Sequence, residues 1–98
     1  MTLTVTVPLH LWNAARTHLL SERERVVLSL VACGFDNHEI ARLEGVSLIT
    51  VRTQLHSVMG KLNCPNRTQL VMVAMLSGLV DIDQIVGMWR RHKPELFE

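Results

Sequence analysis

Ser47-Leu-Ile-Thr-Val-Arg-Thr-Gln-Leu-His-Ser-Val-Met-Gly-Lys-Leu62 reads as a helix with two unlike faces. At 100° per residue, Val51, Leu55, Val58 and Leu62 fall on one side, while Ile49, Arg52, Thr53, His56 and Gly60 fall on the other. The first set is a core stripe. The second is thin and mostly polar, with a cationic, hydrogen-bonding centre suited to a groove lined with acceptors. No acidic residue stands between Glu44 and Asp81, so nothing on this face repels a polyanion. The pattern points to DNA.

Working outward, the helix boundaries are marked by side chains that satisfy orphan backbone groups. Ser21 precedes Glu24 by three residues, as Asp36 does Glu39, Asn66 does Gln69 and Asp81 does Gln84. Each pair has the form of a capping box, and Ser47 with Thr50 is a weaker version. Gly34, Gly45 and Gly78 suit the left-handed position that ends a helix, and Pro65 interrupts before the next start. Helices are therefore expected at 22–33, 37–44, 48–62, 67–77 and 82–92. The second and third are joined by Gly45-Val46-Ser47, a short glycine-led turn of the helix-turn-helix kind. Leu9 to Leu19 suggests a further helix started by Pro8, with Leu11, Trp12, Ala15 and Leu19 on one face. Thr2 to Val7 alternates at period two, as a short strand does.

The 98 residues suit one small domain. No apolar run is long enough for a membrane span, and the first residues lack the cationic lead and cleavage site of a signal peptide. Cys33 and Cys64 are expected to be buried thiols of a cytoplasmic protein. The formal net charge is only +1, yet the nine acids all lie before Gly45 or after Val80, while Arg52, Lys61 and Arg67 occupy the middle. Because screening limits reach to roughly 10 Å, the local distribution matters more at a contact surface than the total.

Taken together, Leu20-Ser-Glu-Arg-Glu-Arg-Val-Val-Leu28, Gly34-Phe-Asp-Asn-His-Glu-Ile-Ala41, Gly45-Val-Ser47, Thr50-Val-Arg52, Lys61-Leu62 and Asn66-Arg-Thr-Gln-Leu-Val71 resemble the LuxR-type (GerE-like) helix-turn-helix domain. The motifs occur in the family's order and spacing. The resemblance implies an all-α fold, a four-helix bundle whose third helix enters the DNA major groove and whose fourth often pairs two subunits. It also implies a transcription regulator of a bacterium or its phage, acting as a homodimer. Three positions depart: Gln54, Glu44 and Asn63 stand where the family often has His, Leu and Gly. Leu43 is expected to stand in for the missing core Leu by a shift of the helix end. The organisation expected is an extension at 1–19, the domain at 20–79 and a helical extension at 80–98. Nineteen residues are too few for a receiver or ligand-binding domain, so a stand-alone regulator is expected.

Arg52, Thr53 and His56 are the candidates for base edges: Arg forks to guanine, Thr offers a methyl to thymine, and neutral His donates or accepts one bond. Asn37, Ser47, Thr50, Gln54, Ser57 and Lys61 flank that face as candidate phosphate contacts, which set register. Glu24 reads as a structural cap. His38 with Glu39 lacks further ligands at metal spacing, and no nucleophile–base pair or phosphate loop is evident, so neither metal, cofactor nor enzyme activity is expected.

In the fourth helix Leu70, Val73 and Ala74 form a core stripe, while Val71, Met72, Met75 and Leu76 cover the other side. A helix apolar all round needs a partner, and a second subunit is the economical one. Ile82, Ile85, Val86 and Trp89 form another stripe, so Trp89 joins the candidate dimer contact, with the Thr2–Val7 strands pairing across the axis. The alternative is that the terminal segments cover the fourth helix. A rival function is a protein that titrates larger LuxR-type regulators by heterodimerisation. Such regulators and RNA polymerase are the further candidate partners. Region four of a sigma factor uses a similar helix pair, but the Asn66-Arg-Thr-Gln-Leu70 block argues against it.

Overall fold

Residues 16–98 are described by the computed structural model, and they form α1 (Glu22–Ala32), α2 (Asn37–Glu44), α3 (Leu48–Leu62), α4 (Arg67–Leu76), α5 (Ile82–His92) and a final 3₁₀ turn, Pro94–Phe97. There is no strand among them. The expected Thr2–Val7 strand, and most of the helix expected at 9–19, lie outside the described residues. Leu19, expected on a packed face, is 49% exposed, and its neighbour Leu20 enters the core instead.

Local chemistry sets the starts. Ser21, Asp36 and Asp81 each close a full capping box with Glu24, Glu39 and Gln84. Asn66 makes half of one, accepting from the Gln69 N–H at 2.8 Å. The ends are equally regular. Gly34, Gly45, Asn63 and Gly78 all have positive φ, and each is followed by a residue whose N–H reaches back five positions, as Val46 does to the Ala41 carbonyl at 3.0 Å. This is the Schellman ending, which favours glycine because a Cβ crowds the left-handed region. Asn63 (φ 56°) occupies the family's glycine position in the same conformation, and Asn is a side chain that tolerates it.

Val51, Leu55, Val58 and Leu62 are all buried, as are Val27, Leu28 and Val31 of α1 and Leu70, Val73 and Ala74 of α4. Helix α1 packs on both α3 and α4, and α2 packs on α3. Each buried Val or Leu among them contributes about 1.5–3 kcal/mol, so one face of α3 is anchored firmly while the other is free.

Two further expectations are corrected. Leu43 does not take up a buried place: it is 37% exposed. Together with half-buried Glu44 it lines a groove of about 770 Å³ between α1 and α5. The helix end has not shifted, because the Gly45 cap fixes where α2 stops. Ile82 is 67% exposed although it lies in the stripe of α5, since the first turn of that helix stands clear of the core. Further along, Ile85 is buried and Val86, Met88 and Trp89 are half-buried. The Trp89 indole N–H donates to the Cys33 carbonyl. His92 meets the Phe35 ring edge-on at 5.8 Å, and the Lys93 ammonium lies 5.2 Å from its centre. Helix α5 is thus fastened to the connection between α1 and α2. Cys33 and Cys64 are both buried free thiols, and burial pushes each thiol up from its ordinary value.

Candidate nucleic-acid interface

The sharp turn at Gly45 places α3 across α2, and Ser47 caps it by accepting from the Thr50 N–H at 3.1 Å. With the core stripe turned inward, Arg52, Thr53, His56 and Gly60 are exposed, and Ile49 is 73% exposed. The three candidate base-contacting residues therefore share one open surface. Arg52 and His56 make no hydrogen bond or ion pair to the described residues, whereas the Thr53 hydroxyl donates to the Ile49 carbonyl at 3.0 Å.

The candidate phosphate contacts divide into four groups. Thr50 and Ser47 lie at the start of α3 with their hydroxyls 2.9 Å apart. Gln54 is half-buried beside the exposed face. Asn37, at the start of α2, accepts from Arg67 Nη1 at 2.7 Å through its carbonyl oxygen, which leaves its amide N–H groups to donate outward. Ser57 and Lys61 lie elsewhere in the network. Lys61 Nζ donates to Glu24 Oε1 at 2.7 Å, and the Ser57 hydroxyl also bonds that carboxylate.

Glu24 is the one buried charged side chain among the described residues, and it does two jobs. Its Oε1 accepts from the Ser21 N–H at 2.8 Å, closing the cap of α1, and from Lys61, tying that cap to the far end of α3. Burial pushes its carboxyl up, but the bonds from Lys61, Ser57 and Ser21 outweigh this and hold it at about 2, below the ordinary 4.5. Lys61 keeps two further N–H donors for another acceptor.

Arg67 is the residue whose role spacing did not reveal. Its Nη1 bonds Asn37 and its Nη2 the Phe35 carbonyl, both at 2.7 Å, so the start of α4 pins the start of α2. Of the three cations in the acid-free stretch, Lys61 and Arg67 are therefore held by the fold. Arg52 alone is unengaged among the described residues.

On α4 the other predicted surface is open. Met72, Met75 and Leu76 are 55%, 42% and 47% exposed, and Val71 is half-buried. Met75 and Leu76 share a shallow depression with Ile82. Among the described residues no terminal segment covers these side chains. Trp89 is half-buried, and its indole N–H bonds the Cys33 carbonyl of the same domain. No helix among the described residues is long and apolar enough to cross a membrane, and no group of three or more His, Cys, Asp or Glu gathers there as a metal site.

Two helices joined by a glycine-led turn, the second offering an acid-free face, make the helix-turn-helix arrangement of DNA-binding proteins. The family model described as bacterial regulatory proteins, luxR family (GerE) matches residues 18–74, more than half of the chain, and the chain belongs to this family. It carries a LuxR-type DNA-binding helix-turn-helix domain. It is similar to the response regulator protein VraR of Staphylococcus aureus (strain Mu3 / ATCC 700698), 37% identical over 62 residues, or 63% of this chain and 30% of that protein. The VraR proteins of Staphylococcus saprophyticus and Staphylococcus epidermidis match to the same extent. The chain thus spans about 30% of the length of the curated relatives it matches.

Proposed function

We propose that this chain binds double-stranded DNA sequence-specifically as a homodimer, with α3 in the major groove, and that it regulates transcription in the cytoplasm without catalysis. The observation that carries this is the exposed, acid-free face of α3, which bears Arg52, Thr53 and His56; in the proposed complex these side chains reach base edges. Asn37, Ser47, Thr50 and Gln54 set the register on phosphates. Ser57 and the spare donors of Lys61 reach the phosphate backbone beyond, while Lys61 also holds Glu24. Residues 20–79 act as the DNA-binding unit, with 1–19 and 80–98 as extensions. The dimer forms through Val71, Met72, Met75 and Leu76, and the exposure of the last three supports a contact that excludes water. We propose that Trp89, whose indole N–H bonds the Cys33 carbonyl of its own subunit, serves the fold more than that contact.

The same open apolar face favours a second reading, in which the chain captures a larger LuxR-type regulator as a heterodimer. One experiment separates them. Selection of duplexes from a random library at defined salt is expected to return a palindrome bound by two copies, with affinity falling steeply as salt rises. Recovery of no preferred duplex would favour capture over DNA reading.

A further inference from the structure

We infer that Ile49 is a specificity-determining residue that reads the 5-methyl group of thymine, paired with the methyl of Thr53. This rests on the DNA-binding reading above. Ile49 is more exposed, at 73%, than any other large apolar side chain described. It is the second residue of α3, and recognition helices address base edges with their N-terminal residues. Thr53 lies four residues on, directly above it on the same face. The Thr53 hydroxyl is turned back to the Ile49 carbonyl at 3.0 Å, so the group it presents outward is its methyl. Ile49 and Thr53 therefore form a continuous hydrocarbon surface bordered by Arg52 and His56. An apolar pair here gains nothing from water or from phosphate oxygens. In the major groove the one matching group is the C5 methyl of thymine, which cytosine, adenine and guanine lack. The absence of any acid from Gly45 to Val80 leaves the approach to the polyanion open.

The test uses the full chain and the tightest duplex recovered from the random library, resynthesised with deoxyuridine in place of each thymidine in turn. That replacement deletes one methyl and leaves base pairing unchanged. At one or two positions in each half-site the wild type is expected to lose about four-fold in affinity, the worth of one buried carbon. In Ile49→Ala the thymidine and deoxyuridine duplexes are expected to bind alike at those positions. Thr53→Ser, which keeps the hydroxyl and removes the methyl, is expected to reduce the difference at the neighbouring position only. Wild-type binding indifferent to deoxyuridine at every position overturns the inference while leaving DNA binding intact. Discrimination undiminished in Ile49→Ala overturns it as well. A selection that yields no preferred duplex overturns the DNA reading and this inference with it. Ile49 lies outside the core, so circular dichroism of the variant should match the wild type.

Discussion

The exposed face of α3 carries Arg52, Thr53 and His56 on a surface without acids, whereas the exposed side of α4 carries Met72, Met75 and Leu76 and no charged group among them. Each helix buries an ordinary aliphatic stripe, so the core does not distinguish them. What differs is the partner each open side can reward. A cation and hydrogen-bonding groups gain from oriented acceptors, and that gain is weakened by salt. Thioethers and a leucine gain from excluding water, and salt does not weaken that. One face is thus suited to DNA and the other to a second protein surface, and salt dependence separates the two experimentally.

The strongest test of the division attacks α4. Met75→Glu places a carboxylate at the proposed subunit contact without disturbing Leu70, Val73 or Ala74 behind it. Leaving a charge buried and unpaired costs about 3 kcal/mol or more, so the dimer should weaken at least a hundred-fold. Sedimentation is expected to find folded monomer, with weaker DNA binding because two half-sites are no longer held at once. A variant that stays fully dimeric would move the contact away from α4.

The complementary test attacks α3. Arg52→Ala is expected to lose about 1–3 kcal/mol of preference at one base position, and dimerisation should be unchanged. Binding of mismatched duplexes should suffer much less than binding of the preferred one. Equal weakening on every sequence would demote Arg52 to a phosphate contact.

How much of this was legible in advance follows from the range of each interaction. Caps and helix ends were readable because the bonding atoms lie three to five residues apart, as in Asp36 with Glu39 or Val46 with Ala41. The stripe of α3 was readable because helical period alone assigns its faces. Contacts bridging distant segments left no spacing signal. Lys61 to Glu24 joins residues 37 apart, Arg67 to Phe35 joins residues 32 apart, and Trp89 to Cys33 joins residues 56 apart. Those three bonds engage the Lys61 ammonium, the Arg67 guanidinium and the Trp89 N–H within the domain. Ile82 shows the converse: its angular position was right, but nothing in the chain told that its turn stands off the core.

The bond from Lys61 to Glu24 connects the comparison to stability. Glu24 sits at about 2 instead of 4.5, so its contribution is fully present above pH 4.5 and is lost as pH falls toward 2. Lys61→Met removes the cation and leaves the carboxylate buried, which should destabilise by about 1–2 kcal/mol at pH 7, discounted because the lysine is partly exposed. The loss should shrink as pH falls below 4.5, and wild type and variant should converge near pH 2 in urea midpoints. A difference constant across that range would show that packing of the lysine stem, and not its charge, matters.

The smallest effect is expected at Trp89 of α5, whose indole bonds the connection between α1 and α2. Trp89→Phe keeps most of the half-buried ring but removes the N–H that bonds the Cys33 carbonyl. One neutral hydrogen bond contributes about 0.5–1.5 kcal/mol, so thermal stability should fall by a few degrees for a chain of this size. Because the Cys33 carbonyl lies in the connection between α1 and α2 and is part of neither exposed face, neither DNA preference nor the dimer constant should change. Hydrogen exchange at Ile85–Trp89 supplies the check on cause. Protection there should drop in the variant while protection at Val51–Leu62 stays, since the core stripe of α3 does not pass through α5. A change in the dimer constant instead would place Trp89 at the subunit contact and join the two regions that the bond to Cys33 keeps apart.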